Sequence, residues 1–322
     1  MKRSDLFLSL SLLFFSATAI LFVSSRQSHT QSEIALSVFE PQCQQQSGGD
    51  GVTSGSQPRN EVVKAELDYE AHVANLKKTT GRGFTIVVEK PFVVIGDQSQ
   101  ADVERWATGT IRWAVSQIKD SYFEKDPDHI INIWLFKDSD SYNANTKKIF
   151  GRKPTTPFGY YSPSDKALVM NISTGGGTLV HEIVHPFMAA NFEACPSWFN
   201  EGLASLYEQS SEREGKIVGL TNWRLRGLQL AIKDDLLGSF KKMMSTNDRE
   251  FYEGDSTNYA QARYLCYWLQ ETGVLHDYYH AFVKNAADDP EGIQTLTKIL
   301  GTEDLEKFQS HWEAYVLKLR FP

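Results

Sequence analysis

Cysteine is scarce in this chain: there are three in 322 residues. That permits at most one internal disulfide. Cys195 and Cys266 fall in the part read as folded, where they either pair or stay as buried free thiols, while Cys43 stands apart in a polar tail. No cysteine occupies a lipoprotein position after the apolar start. Basic runs are also absent beyond the N-terminus, and the net charge is −7. The electrostatic footprint of a nucleic-acid binder is therefore missing. No strong internal repeat is present. Gly175-Gly176-Gly177 precedes a helical pattern but lacks the Lys-Ser/Thr of a phosphate-binding loop.

What is there suffices for a packed core: 41% hydrophobic residues and 12% aromatics, in a length that suits one large or two modest domains. Lys2 and Arg3 precede an apolar stretch from Leu6 to Val23. Residues 1–25 read as a signal peptide or N-terminal anchor, which places the remainder outside the cytoplasm: secreted, periplasmic or held at the outer membrane face. Residues 26–60, rich in Gln, Ser and Gly, read as a disordered linker. Residues 61–322 form the expected domain, with an α+β lobe at 61–195 and a helical lobe at 196–322.

Within the domain, 61–79 reads as a helix, and 84–95, broken by Pro91, as a hairpin or two short strands. Val103, Trp106, Thr110, Ile111, Val115 and Ile118 follow helical spacing, so 101–122 is an amphipathic helix. A strand at 130–136 leads into an aspartate-rich turn. Residues 160–165 read as a turn before a strand at 167–172. The three glycines give a flexible entry that lets the next helix approach the sheet edge. After Glu201 the patterns are helical: 222–234, 235–244, 257–271, 275–285 and 303–319. The fold class is α+β, a small mixed sheet followed by a mainly helical C-terminal part.

The chemistry concentrates in His181-Glu182-Ile183-Val184-His185. Residues four apart share a helix face, so both imidazoles reach one metal ion, with Glu182 beside the site rather than on the metal. Leu179, Val180, Ile183, Val184 and Phe187 mark the segment as buried, and buried His and Glu need partners. Sixteen residues on, Pro196-Ser197-Trp198-Phe199-Asn200-Glu201-Gly202-Leu203-Ala204 offers Glu201 as a third ligand. Pro186 cannot donate its backbone N–H, so the helix either kinks after His185 or ends there.

These two segments resemble those of the gluzincins, zinc peptidases with two His and one Glu ligand, in the peptidase-MA-like superfamily. The resemblance covers roughly Phe84 to Tyr267, in the order strand, helix, strands, metal helix, ligand helix. It implies a zincin-like fold, one Zn2+ held by His181, His185 and Glu201, and Glu182 as the general base of peptide-bond hydrolysis. It also suggests Tyr259, in Asn258-Tyr259-Ala260-Gln261-Ala262-Arg263-Tyr264, as a donor to the transition-state oxyanion, against the alternative that it only packs. The Gly-x-Met-Glu-Asn segment of the zinc aminopeptidases is absent. The expected partner is a peptide or protein substrate, with membrane attachment through the N-terminal segment as a further expectation. Two competing readings stand: a cell-surface binding module that keeps the fold without catalysis, and a structural zinc closed by Cys195 as fourth ligand.

Overall fold

The computed structural model describes residues 67–254 and 257–321. The expected export segment, the linker, Cys43 and the first residues of the helix expected from 61 lie outside the described residues. Among the described residues, no helix is long and apolar enough to cross a membrane.

Helix α1 (Tyr69–Thr79) starts at Asp68, whose side chain accepts from the Ala71 amide. Strands β1 (Thr85–Glu89) and β2 (Phe92–Gly96) make the hairpin expected around Pro91. Helix α2 (Gln100–Arg105) passes through a π-helical segment, Trp106–Ile111, into α3 (Arg112–Ser121). The amphipathic helix expected there is thus present, with a widened stretch that spacing alone does not reveal. After β3 (Ile131–Phe136) the aspartates do not make a simple turn. Asp138 caps α4 (Ser139–Phe150) by accepting from the Ser141 amide, and Gly151 ends it in the left-handed conformation. Tyr160 and Tyr161 belong to a strand, β4 (Gly159–Ser162), rather than a turn, and the turn to β5 (Ala167–Asn171) comes after them.

The sheet order is β1-β2-β3-β5-β4, with β2, β3 and β5 mutually parallel and the two edge strands antiparallel to their neighbours. One register row reads Val87, Val94, Ile133, Leu168 and Tyr161. Alternation sends Val94, Ile133 and Leu168 into the main core, shared with Ile111, Ile118 and Phe187. Val93, Trp134 and Val169 point the other way, into a second cluster with Leu76 of α1 and Tyr142 of α4. Both faces of the sheet are covered by helices, which is why β2 and β5 are buried along their whole length.

Helix α5 (Gly177–Asn191) packs on the main-core face, and α6 (Ser197–Tyr207) crosses it. A two-stranded hairpin, β6 (Ser210–Arg213) and β7 (Lys216–Gly219), interrupts the run of helices expected after Glu201. Its two-residue loop, Glu214-Gly215, holds both residues at positive φ, the mirror-turn geometry that joins tight hairpins. The remainder is helical: α7 (Arg224–Lys233), α8 (Phe240–Met244), α9 (Asp248–Glu253), α10 (Asn258–Glu271), α11 (Leu275–Asn285), α12 (Ile293–Leu300) and α13 (Leu305–Val316). The protein is a mixed α/β fold with a five-stranded mixed sheet and mostly helical content.

Candidate metal centre

Helix α5 is buried on every side from Leu179 to Met188, because the sheet, α3 and α6 all pack against it. It neither ends at His185 nor stops at Pro186, but runs on to Asn191. The proline removes one helical N–H, the one that would meet the Glu182 carbonyl. Packing on all sides holds the helix through that defect.

His181 and His185 lie on one face of α5, their ring centroids 4.9 Å apart. Helix α6 brings Glu201 against them. One ligand atom from each of the three residues lies within 4.8 Å of the others. Glu201 Oε2 is 3.2 Å from His181 Nε2, and Oε1 is 3.9 Å from His185 Nε2. Glu182 Oε2 is 3.9 Å from His185 Nε2. The four residues are between 1% and 4% exposed, so water does not solvate them in this conformation. Glu201 Oε2 faces imidazole nitrogen yet has no hydrogen bond. A buried carboxylate oxygen in that position fits a divalent cation, and a His, His, Glu donor set suits zinc. Cys195 is not part of this cluster, and its Sγ lies 3.7 Å from the Pro196 carbonyl. It and Cys266 are both free thiols.

The outer nitrogens of both rings are held. His185 Nδ1 donates to Asn200 Oδ1 at 3.0 Å, which leaves Nε2 for the cluster. His181 Nδ1 is 3.2 Å from Glu208 Oε1, in ion-pair range though not aligned as a hydrogen bond. Glu208 is itself anchored by Arg224 Nη2 at 3.2 Å and Asn222 Nδ2 at 3.4 Å. Neither Asn200 nor Glu208 was singled out by sequence. Asn200 adjoins Glu201, and Glu208 follows it by seven residues, two turns along the same face, so helical spacing offered a signal for Glu208 and adjacency alone for Asn200. Arg224 comes from a separate helix and offered none.

Gly177, the first residue of α5, has a purpose beside the expected approach to the sheet edge. A Cβ on Gly177 would sit 2.2 Å from the Glu208 carbonyl oxygen. Its absence lets the start of α5 meet the end of α6, which brings the Glu208 side chain to His181. At the other end of the site, Gly202 lies against the Ala262 carbonyl and Cys266 Sγ, so α6 and α10 pack closely beside Glu201.

Charge at the site follows from burial and neighbours. Burial pushes the Glu182 carboxyl above its ordinary pKa, partly offset by His181, His185 and a hydrogen bond from the Tyr161 backbone. Burial acts upward on Glu201 too, but His185, His181 and the Tyr252 hydroxyl outweigh it and hold that carboxyl low. Glu208 is held at about 2: burial opposes ionisation, but Arg224 and His181 override it. Burial would depress His181, yet Glu201 and Glu208 lift it to about 10, a sign of the negative field any cation here would feel.

Two tyrosines approach from the helical side. Tyr252, on α9, donates its hydroxyl to Glu201 Oε1 at 2.9 Å. Tyr259, on α10, is fully buried, its ring 6.1 Å from that of Tyr252 and 5.4 Å from the Arg224 guanidinium. Sequence reading pointed to Tyr259 and passed over Tyr252. Also on α10, the fully buried Arg263 donates to the carbonyls of Ser205 at 2.9 Å and Leu206 at 3.3 Å, and to that of Leu220.

Residues 176–290 match the family described as Protein of unknown function (DUF1570). The matched segment is a minority of the chain, but it contains His181, Glu182, His185, Glu201, Glu208, Tyr252 and Tyr259. No curated protein matches the chain.

Proposed function

We propose that residues 61–322 form a gluzincin-type zinc metallopeptidase domain with a zincin-like fold, placed outside the cytoplasm by residues 1–25. The observation that supports this is the convergence of His181, His185 and Glu201 within 4.8 Å, with Glu182 alongside. Zinc would be held by those three residues and, when bound, would supply Lewis-acid chemistry. Glu182, its pKa raised by burial, takes a proton from the attacking water and delivers it to the leaving amine. The Tyr161 backbone bond fixes that carboxyl against the sheet edge. Asn200 holds His185 in the tautomer that presents Nε2, and the Glu208 charge beside His181 Nδ1 favours the same tautomer there. Tyr252 positions Glu201, and Tyr259 donates to the developing oxyanion of the substrate. The substrate is a peptide or protein.

The test is metal content of the full chain together with cleavage of a peptide library, in wild type and Glu182→Gln. One zinc per chain in both and cleavage only in wild type is the expected result. Zinc in both with cleavage in neither would favour the non-catalytic binding module. Absence of zinc from both would remove the metal centre.

A further inference from the structure

A second pair of histidines shares the spacing of the first. His276 and His280 lie four apart on α11, and their Nε2 atoms are 3.1 Å from each other. Two nitrogens bound to one tetrahedral zinc at 2.0–2.1 Å stand about 3.3 Å apart, and at a right angle about 2.9 Å. The observed separation falls between these values. We propose that His276 and His280 form a second, solvent-facing site for a first-row transition-metal ion of the copper, nickel and zinc group, bound through both Nε2 atoms.

In the absence of metal, the 3.1 Å contact places one shared proton between two ring nitrogens. A metal ion takes that place once both rings carry their proton on Nδ1, a change of tautomer with no net loss of protons. On His276 that tautomer has support, since Nδ1 lies 3.6 Å from Asp277 Oδ1. The rings are also braced. Tyr122 packs on His276 with centroids 6.4 Å apart, and Tyr279 on His280 at 5.0 Å, so little ordering remains when the ion binds. Glu124 and Asp277 add negative potential at His280. Imidazole ligation selects Cu2+, Ni2+ or Zn2+ over Mg2+ and Ca2+, which prefer oxygen. The side chains are open to solvent, His276 being 59% exposed, so the ion can exchange.

This site does not depend on the first. Full-length protein preloaded with one equivalent of Zn2+ is titrated with Ni2+ in a calorimeter, and nitrogen ligation is read with Cu2+ by electron paramagnetic resonance. One further equivalent is expected in the preloaded wild type, and one equivalent in all in His181→Ala/His185→Ala titrated without preloading. His276→Ala and His280→Ala should each weaken it about tenfold or more, the loss of one of two ligands. Circular dichroism checks that these exposed substitutions leave the fold unchanged. A further equivalent that persists undiminished in the His276→Ala/His280→Ala double variant overturns the proposal, as does its absence from wild type. Loss of the preloaded Zn2+ alone would count against the first site and leave the second titration readable.

Discussion

The protein carries two His pairs at four-residue spacing on helices, and they occupy opposite extremes of environment. On α5 the pair is 1% and 4% exposed, while on α11 His276 is more than half exposed. Ring geometry hardly separates them, with centroids 4.9 Å and 4.4 Å apart. What differs is the surroundings. The α5 pair has the Glu201 carboxylate from a second helix against it, Glu182 beside it, and Asn200 and Glu208 behind it. The α11 pair has solvent and two carboxylates acting at a distance. Spacing therefore brings two imidazoles together in both places. Only the buried one has the ordered, desolvated surroundings in which a carboxylate can act as a base.

The sharpest test of that contrast is Glu182→Gln. It should lower kcat for peptide cleavage by about 10³-fold or more while zinc stays bound, measured by steady-state kinetics and metal analysis. His276→Ala/His280→Ala should leave kcat unchanged, and a comparable loss there would erase the distinction between the pairs. Tyr259→Phe is expected to lower kcat by about 10²-fold with little change in KM, as loss of an oxyanion donor does. Unchanged turnover would remove Tyr259 from the mechanism and leave Tyr252 as the tyrosine nearest the ligands.

Glu208→Gln probes the supporting layer that the α11 pair lacks. It should weaken zinc binding about 10- to 100-fold, read by competition with a chromophoric chelator. It also weakens the hold on the partly buried Arg224, a loss of about 1–3 kcal/mol in stability by chemical denaturation. Gly177→Ala acts on the same contact from the other side. With a Cβ directed at the Glu208 carbonyl, it should destabilise the fold by about 1–3 kcal/mol and loosen zinc in parallel. If Gly177→Ala were neutral for both, close approach of α5 and α6 would not be what delivers Glu208 to His181.

Sequence carried the local features well. The hairpin at Pro91, the helix at 275–285 and the pair of helices bearing His181, His185 and Glu201 follow from periodicity and short motifs. It missed α4 because Asp138 and Asp140 look like turn residues, whereas Asp138 is a cap and Asp140 sits in the first helical turn. It missed β6 and β7 because the strands are short and largely exposed, with little alternation to detect. The supporting residues fall in the same divide. Glu208 was readable from helical spacing relative to Glu201, but Asn200 offered only its adjacency, and Arg224 reaches Glu208 only through the path of the chain in space. At Pro186 the two alternatives were a kink and an end to the helix, and the end is overturned, because tertiary packing carries α5 on to Asn191.

Arg263 has a mechanical consequence. Its guanidinium, buried in α10, grips carbonyls at the end of α6 and on the strand of chain leading to α7. Breaking that grip would strand a charge in the core, so α6 and α10 cannot slide past each other cheaply. Glu201 and Glu208 thereby ride on a single stiff block.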